Sequence, residues 1–109
     1  YHKDILVKNG FATDEAVNGL EALEKAHNQR FDLYLVDVNM PKMDGYSFIR
    51  HLRASTTIEQ APVVMISTES EPKDESRAYQ VGANLYLVKP IKPDQLLEYA
   101  SLLVGEVNE

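Results

Sequence analysis

The sequence contains no cysteine, which excludes a disulfide scaffold and thiolate metal sites and is compatible with a reducing cytoplasm. Positive charge is also scarce: 11 Lys and Arg stand against 17 Asp and Glu, for a formal net charge of -6. Neutralising nucleic-acid phosphates or an anionic bilayer needs clustered Lys and Arg, so neither nucleic acid nor membrane is an expected partner. No apolar run approaches the roughly 18 residues of a helical span, and no signal-peptide pattern opens the sequence. Neither glycine-rich phosphate loop, GxGxxG or GxxxxGK followed by Ser or Thr, occurs, which argues against a nucleotide- or flavin-binding protein. Repeats, low-complexity tracts and linkers are missing too. The 109 residues, 44% hydrophobic and 26% charged, are expected to form one ordinary globular domain.

What is present centres on residues 31–53, FDLYLVDVNMPKMDGYSFIRHLR. Leu33-Tyr34-Leu35-Val36 is a short apolar run of strand formers, the pattern of a parallel strand buried on both faces. It stops at Asp37, and the carboxyl ends of such strands are where open α/β sheets bind ligands. Pro41 and Gly45 then break the strand. Asp44 is a suitable N-cap for a helix with Phe48, Ile49 and Leu52 on one face.

Taken in order, residues 1–9 carry Ile5, Leu6 and Val7 among polar neighbours and end at Gly10, which reads as the last turns of a helix with a glycine stop. Residues 11–17 read as a short strand. Asn18-Gly19 turns the chain, and Glu21 three residues after Asn18 resembles a capping box for a helix carrying Leu20, Leu23 and Ala26. Pro62-Val63-Val64-Met65-Ile66 is a second apolar strand, ending at Ser67-Thr68. A polar segment over 69–75 leads to a helix over 76–81 stopped by Gly82. Residues 84–88 form a third apolar strand, ending at Lys89-Pro90. A last helix starts near Pro93 and carries Leu96, Leu97, Ala100, Leu103 and Val104 on one face.

Strands alternating with helices predict a parallel sheet with right-handed crossovers and helices on both faces. Asp37, Ser67-Thr68 and Lys89 then lie on one edge. Each alone has a plain explanation: Asp37 as a polar residue leaving a strand, Lys89 as a solvated strand-end lysine, Ser67 and Thr68 as caps, Tyr86 as a half-buried aromatic. His2, His27 and His51 share no ligand spacing and read as surface residues. Met40 and Met43 read as loop packing. Jointly, an acid, a hydroxyl and a lysine suit a carboxylate that accepts a phosphoryl group. The lysine counters the added charge, the hydroxyl donates to a phosphoryl oxygen, and a hard divalent cation completes the neutralisation.

The motifs DVNMPKMDG at 37–45, PVVMIST at 62–68 and VGANLYLVKP at 81–90 closely resemble those of response-regulator receiver domains of two-component signalling, chemotaxis regulators in particular. The resemblance covers essentially the whole of 1–109. It implies a flavodoxin-like doubly wound parallel sheet of order 2-1-3-4-5. It makes Asp37 the phosphoacceptor, Lys89 the phosphoryl-binding lysine, Ser67 the switch hydroxyl and Tyr86 the rotating aromatic. Mg²⁺ is implied on Asp37 and the backbone carbonyl of Asn39, and a cis Lys89-Pro90 bond is implied as well. So are a sensor histidine kinase as phosphodonor, a downstream effector protein or domain, a cytoplasmic setting, and output through the family's fourth helix, fifth strand and fifth helix. A receiver is consumed as a stoichiometric acceptor, so the chain is not read as an enzyme.

One departure matters. Receivers open with an apolar strand ending in two adjacent acids that hold the metal, and this sequence has no such strand. Asp14-Glu15 precedes Ala16-Val17 instead of following an apolar run, so it is not counted as that pair, and Mg²⁺ binding is expected to be weak. Roughly five buried side chains at about 1.5 to 3 kcal/mol each would make the missing strand worth some 8 to 15 kcal/mol. Whole domains are stable by only about 5 to 15 kcal/mol. The domain is therefore expected to be N-terminally incomplete, its first strand either cut away or supplied by another chain through strand exchange or a homodimer. The alternative function is a pseudo-receiver, an interaction module that is not phosphorylated.

Overall fold

The computed structural model describes residues 4–7, 13–16, 18–38 and 43–108, the first two stretches as backbone only. The elements run β1 (Asp4–Val7), β2 (Thr13–Ala16), α1 (Gly19–Asn28), β3 (Leu33–Asp37), α2 (Gly45–Ala54), β4 (Val63–Ser67), α3 (Pro72–Val81), β5 (Leu85–Val88) and α4 (Pro93–Asn108). They build one sheet of order β2-β1-β3-β4-β5. β3, β4 and β5 are parallel, with Asp37 beside Ile66 and Ser67 beside Val88. The expected parallel core is present, and the central position expected to lack a strand from this chain is filled by its own Asp4–Val7, running antiparallel.

The expected amino-terminal helix is not found among the described residues. Asp4–Val7 is a strand, antiparallel to both β2 and β3, whereas residues 1–3 and 8–10 lie outside the described residues. Ile5, Leu6 and Val7 include two β-branched residues, which suit a strand better than a helix. The deciding influence is non-local. With no parallel first strand, β2 and β3 would each present an unpaired edge of N–H and C=O groups, and Asp4–Val7 pairs with both. Its reversed direction follows from connectivity: five residues separate β1 from β2, enough for a hairpin and too few for a parallel crossover. Asp14 and Glu15 stand level with Tyr34 and Leu35, in mid-sheet, in keeping with their exclusion as a strand-tip pair.

Alternation along β3 divides the core. Tyr34 and Val36 face a cluster built with Ala22 and Ala26 of α1, Phe48, Ile49 and Leu52 of α2, and Ala78 of α3. Leu33 and Leu35 face the other side, where Ala100, Leu96 and Leu103 of α4 cover them. Helices thus flank both faces. The Asn18 side chain accepts the Glu21 N–H at 2.9 Å, starting α1 as expected, but Leu20 points to solvent, 52% exposed, and the buried face is Ala22 and Ala26. The helix expected over 76–81 begins a full turn earlier, at Pro72, with Asp74 and Glu75 in its first turn. Proline at the first position and early acids are both helix-start signals. α3 ends at Gly82, whose φ of 117° is the left-handed conformation that glycine adopts without penalty.

Candidate functional site at the carboxyl edge

Asp37 closes β3, and Val38 and Gly45 are held beside it. Val38 N–H donates to Ile66 O, and Gly45 N–H donates to Val38 O, each at 3.0 Å. A Cβ on Gly45 would lie 2.7 Å from Asp37 O and 2.9 Å from Met65 Cε, so only glycine permits α2 to start this close to the acid. The Asp44 carboxylate accepts the Ser47 N–H at 2.8 Å and caps α2, as its position predicts.

The parallel register brings the next two strand tips to the same edge. Lys89 N–H donates to Ser67 O at 2.7 Å, tying the β5 tip to the β4 tip. From there the Lys89 side chain reaches two strands across: Nζ donates to Asp37 Oδ2 at 2.8 Å. The Asp37 side chain is 16% exposed and that of Lys89 33%. This pair is held in a partly desolvated cleft, yet it is open to an incoming anion. The Lys89-Pro90 peptide is cis, as expected.

Ser67 is buried, and its Oγ accepts the Glu69 N–H at 2.9 Å. Tyr86 is buried as well, and its hydroxyl donates to Glu69 O at 2.8 Å. The two residues read from sequence as hydroxyl and aromatic therefore hold the same residue, Glu69, one at its N–H and the other at its carbonyl. Thr68 is exposed beside them. His27 and His51 are exposed helical residues, as anticipated, and Met43 packs partly buried against the core. Asn39, Met40 and His2 lie outside the described residues.

Two participants escaped the sequence reading. Tyr46, buried at the start of α2, donates its hydroxyl to Asp74 O at 3.3 Å, and the Arg77 guanidinium lies 4.1 Å from its ring centre. Burial raises the Tyr46 phenol pKa; the neighbouring Tyr86 and Asp74 add to the rise and Arg77 opposes it. The available signal was spacing, since Tyr46 extends the Ile49 and Leu52 face back by one turn. At the opposite edge Arg53 donates to four acceptors. Among the described residues no group of three metal-ligating side chains gathers. The carboxyl edge offers Asp37 as its strand-tip carboxylate, which suits a loosely held hard cation that keeps most of its waters.

The geometry has close counterparts. The chain is 39% identical over 97 residues to the chemotaxis protein CheY of Bacillus subtilis, covering 88% of this chain and 79% of that one. It is 34% identical over 102 residues to a probable transcriptional regulator of Porphyra purpurea, covering 94% of this chain but only 49% of the relative, so it spans about half of that longer protein. Among solved structures, the receiver domain of a Pseudomonas aeruginosa PAO1 sensor histidine kinase, with a magnesium ion coordinated in its active site cleft, superposes with a TM-score of 0.74 at 31% identity, covering 83% of this chain and 74% of that one. The response regulator receiver domain model matches residues 1–101. With the parallel core and the acid–lysine contact already in place, that match makes the chain a member of the response regulator receiver domain family of two-component signalling.

Proposed function

We propose that the chain is a phosphoacceptor switch in which Asp37 takes a phosphoryl group from the phosphohistidine of a sensor histidine kinase. A carboxylate oxygen of Asp37 attacks phosphorus, the P–N bond breaks, and the departing imidazole nitrogen takes up a proton. The observation that carries this reading is the 2.8 Å contact from Lys89 Nζ to Asp37 Oδ2. It keeps a compact cation beside the reacting atom, where it can follow the new charge onto phosphoryl oxygens. Asp37 and the Asn39 carbonyl would hold Mg²⁺, which supplies charge neutralisation when bound. Ser67 would leave the Glu69 N–H to donate to a phosphoryl oxygen, and Tyr86, sharing Glu69, would respond. Tyr79 of α3, Val88 of β5 and Leu102 of α4 are large apolar side chains exposed at 43%, 39% and 61%. They would offer the α3–β5–α4 side to an effector or a second copy. On this reading the chain is consumed stoichiometrically in the cytoplasm and is not an enzyme in the ordinary sense.

Incubation with acetyl phosphate and Mg²⁺ followed by intact-mass measurement tests it. The expected result is a gain of one phosphoryl group that is absent in Asp37→Asn. The second reading, a pseudo-receiver acting as an interaction module, is favoured by the absence, among the described residues, of a group of three metal-ligating side chains. It predicts no mass gain at any Mg²⁺ concentration.

A further inference from the structure

We propose that Tyr46 is a positioning residue that links the Asp37 site to the first turn of α3, through contacts of its own that add to those of Ser67 and Tyr86 on Glu69. The inference rests on the phosphoacceptor reading above and adds a residue to it. Tyr46 follows Gly45, which sits against the Asp37 backbone, so its Cα is fixed relative to the strand tip by a contact that tolerates no side chain. From that anchor the ring spans to α3. The hydroxyl donates to Asp74 O at 3.3 Å, and Arg77 lies over the ring face at 4.1 Å. The hydrogen bond is long and the cation rests on the outer face of the ring, so both are contacts that a small shift of α3 would exchange.

Tyr86 lies next to Tyr46 closely enough to raise its phenol pKa. The Tyr86 hydroxyl holds Glu69, two residues before the N-cap of α3 at Glu71. The start of α3 is thus held at two points, one on the β4–α3 loop through Tyr86 and one on the helix through Tyr46. Displacing the loop at Ser67 alone would let the helix stay where it is. Held by Tyr46 to α2, it must move with α2 or exchange the Asp74 and Arg77 contacts, and α2 is seated on Asp37. Loss of Tyr46 should therefore uncouple the first turns of α3 from the chemistry at Asp37 without slowing that chemistry.

Amide hydrogen exchange over 74–78, measured with and without acetyl phosphate and Mg²⁺ and paired with intact mass for phosphoryl content, tests this in the whole chain. In unmodified protein, Tyr46→Phe should raise exchange there by roughly threefold to tenfold, the effect of losing one hydrogen bond. Tyr46→Leu, which also removes the ring under Arg77, should raise it further, and α1 should be unchanged in both. Phosphoryl content should match the parent, while the change that phosphorylation causes over 74–78 should shrink by at least half. Unaltered exchange in both unmodified variants would overturn the proposal, as would a phosphorylation-dependent change that persists at full size. If no protein gains mass, the coupling falls together with the phosphoacceptor reading, and the unmodified samples report separately on whether Tyr46 holds α3.

Discussion

Two cations sit at opposite edges of the same sheet, and the molecule treats them differently. Lys89, at the carboxyl edge, directs its ammonium to one carboxylate, Asp37, in a cleft open to water. Arg53, at the end of α2 on the amino edge, donates to Gly82 O at 3.0 Å and to Gln60 Oε1, Ala61 O and Asn84 Oδ1, each at 2.9 Å. All four acceptors are neutral, and burial lowers the guanidinium pKa. On the phosphoacceptor reading, the cation that takes a new anion is given one exchangeable partner among the described residues. A cation that joins α2 to the segments before β4 and β5 is saturated with fixed oxygens and has little left to exchange.

The sharpest way to break this comparison is to remove each cation in turn. Arg53→Ala strands several oxygens at once and should cost about 3 kcal/mol or more in urea unfolding, by analogy with buried charged networks. Lys89→Ala should cost about 1 kcal/mol or less, yet slow acetyl phosphate labelling of Asp37 by roughly 100-fold, the scale of losing one charge-stabilising donor. If the two swapped effects, the division between fixed and exchangeable cations would be wrong.

Gly82→Ala attacks the amino edge from the other side. The φ of 117° disfavours any side chain, and a Cβ would lie 2.6 Å from Arg53 Cγ. A loss of about 1 to 3 kcal/mol in the same unfolding assay is expected. Asp44→Ala tests the amino end of α2, at the carboxyl edge of the sheet, where only a cap is lost, and should cost about 1 kcal/mol.

These two edges also differ in how far they could be read in advance. The carboxyl edge was legible because each member is the last residue of an apolar run: Asp37 after Val36, Ser67 after Ile66, Lys89 after Val88. Local caps at Asn18 and Asp44 and the stop at Gly82 were legible for the same reason, their partners lying within a few residues. Arg53 was not, because its acceptors lie 7 to 31 residues away and come together only when β4 and β5 are in place. Nor was β1, since a four-residue strand with only three apolar residues is decided by which strand edges stand open beside it. The α3 start was missed although its signals were local, because the polar run over 69–75 hid Pro72.

The smallest expected effect at neutral pH separates packing from polarity beside Arg53. Tyr34 is fully buried between Phe31 and Phe48, and its hydroxyl has no hydrogen-bond partner among the described residues. Tyr34→Phe keeps the ring contacts and removes an unsatisfied polar atom, so stability at pH 7 should be unchanged or rise by up to about 1 kcal/mol. At high pH the two proteins should diverge. Burial pushes the Tyr34 pKa to about 12, with the Arg53 charge opposing part of the rise, against an unfolded value near 10. A folded pKa raised above the unfolded one contributes stability that is intact below pH 10 and lost as pH climbs from about 10 toward 12. Thermal melts of the parent chain should fall through that window more steeply than those of Tyr34→Phe. Parallel curves would mean that the phenol is ionising in a solvated site, and that the Tyr34 hydroxyl is not as buried as its packing between Phe31 and Phe48 describes.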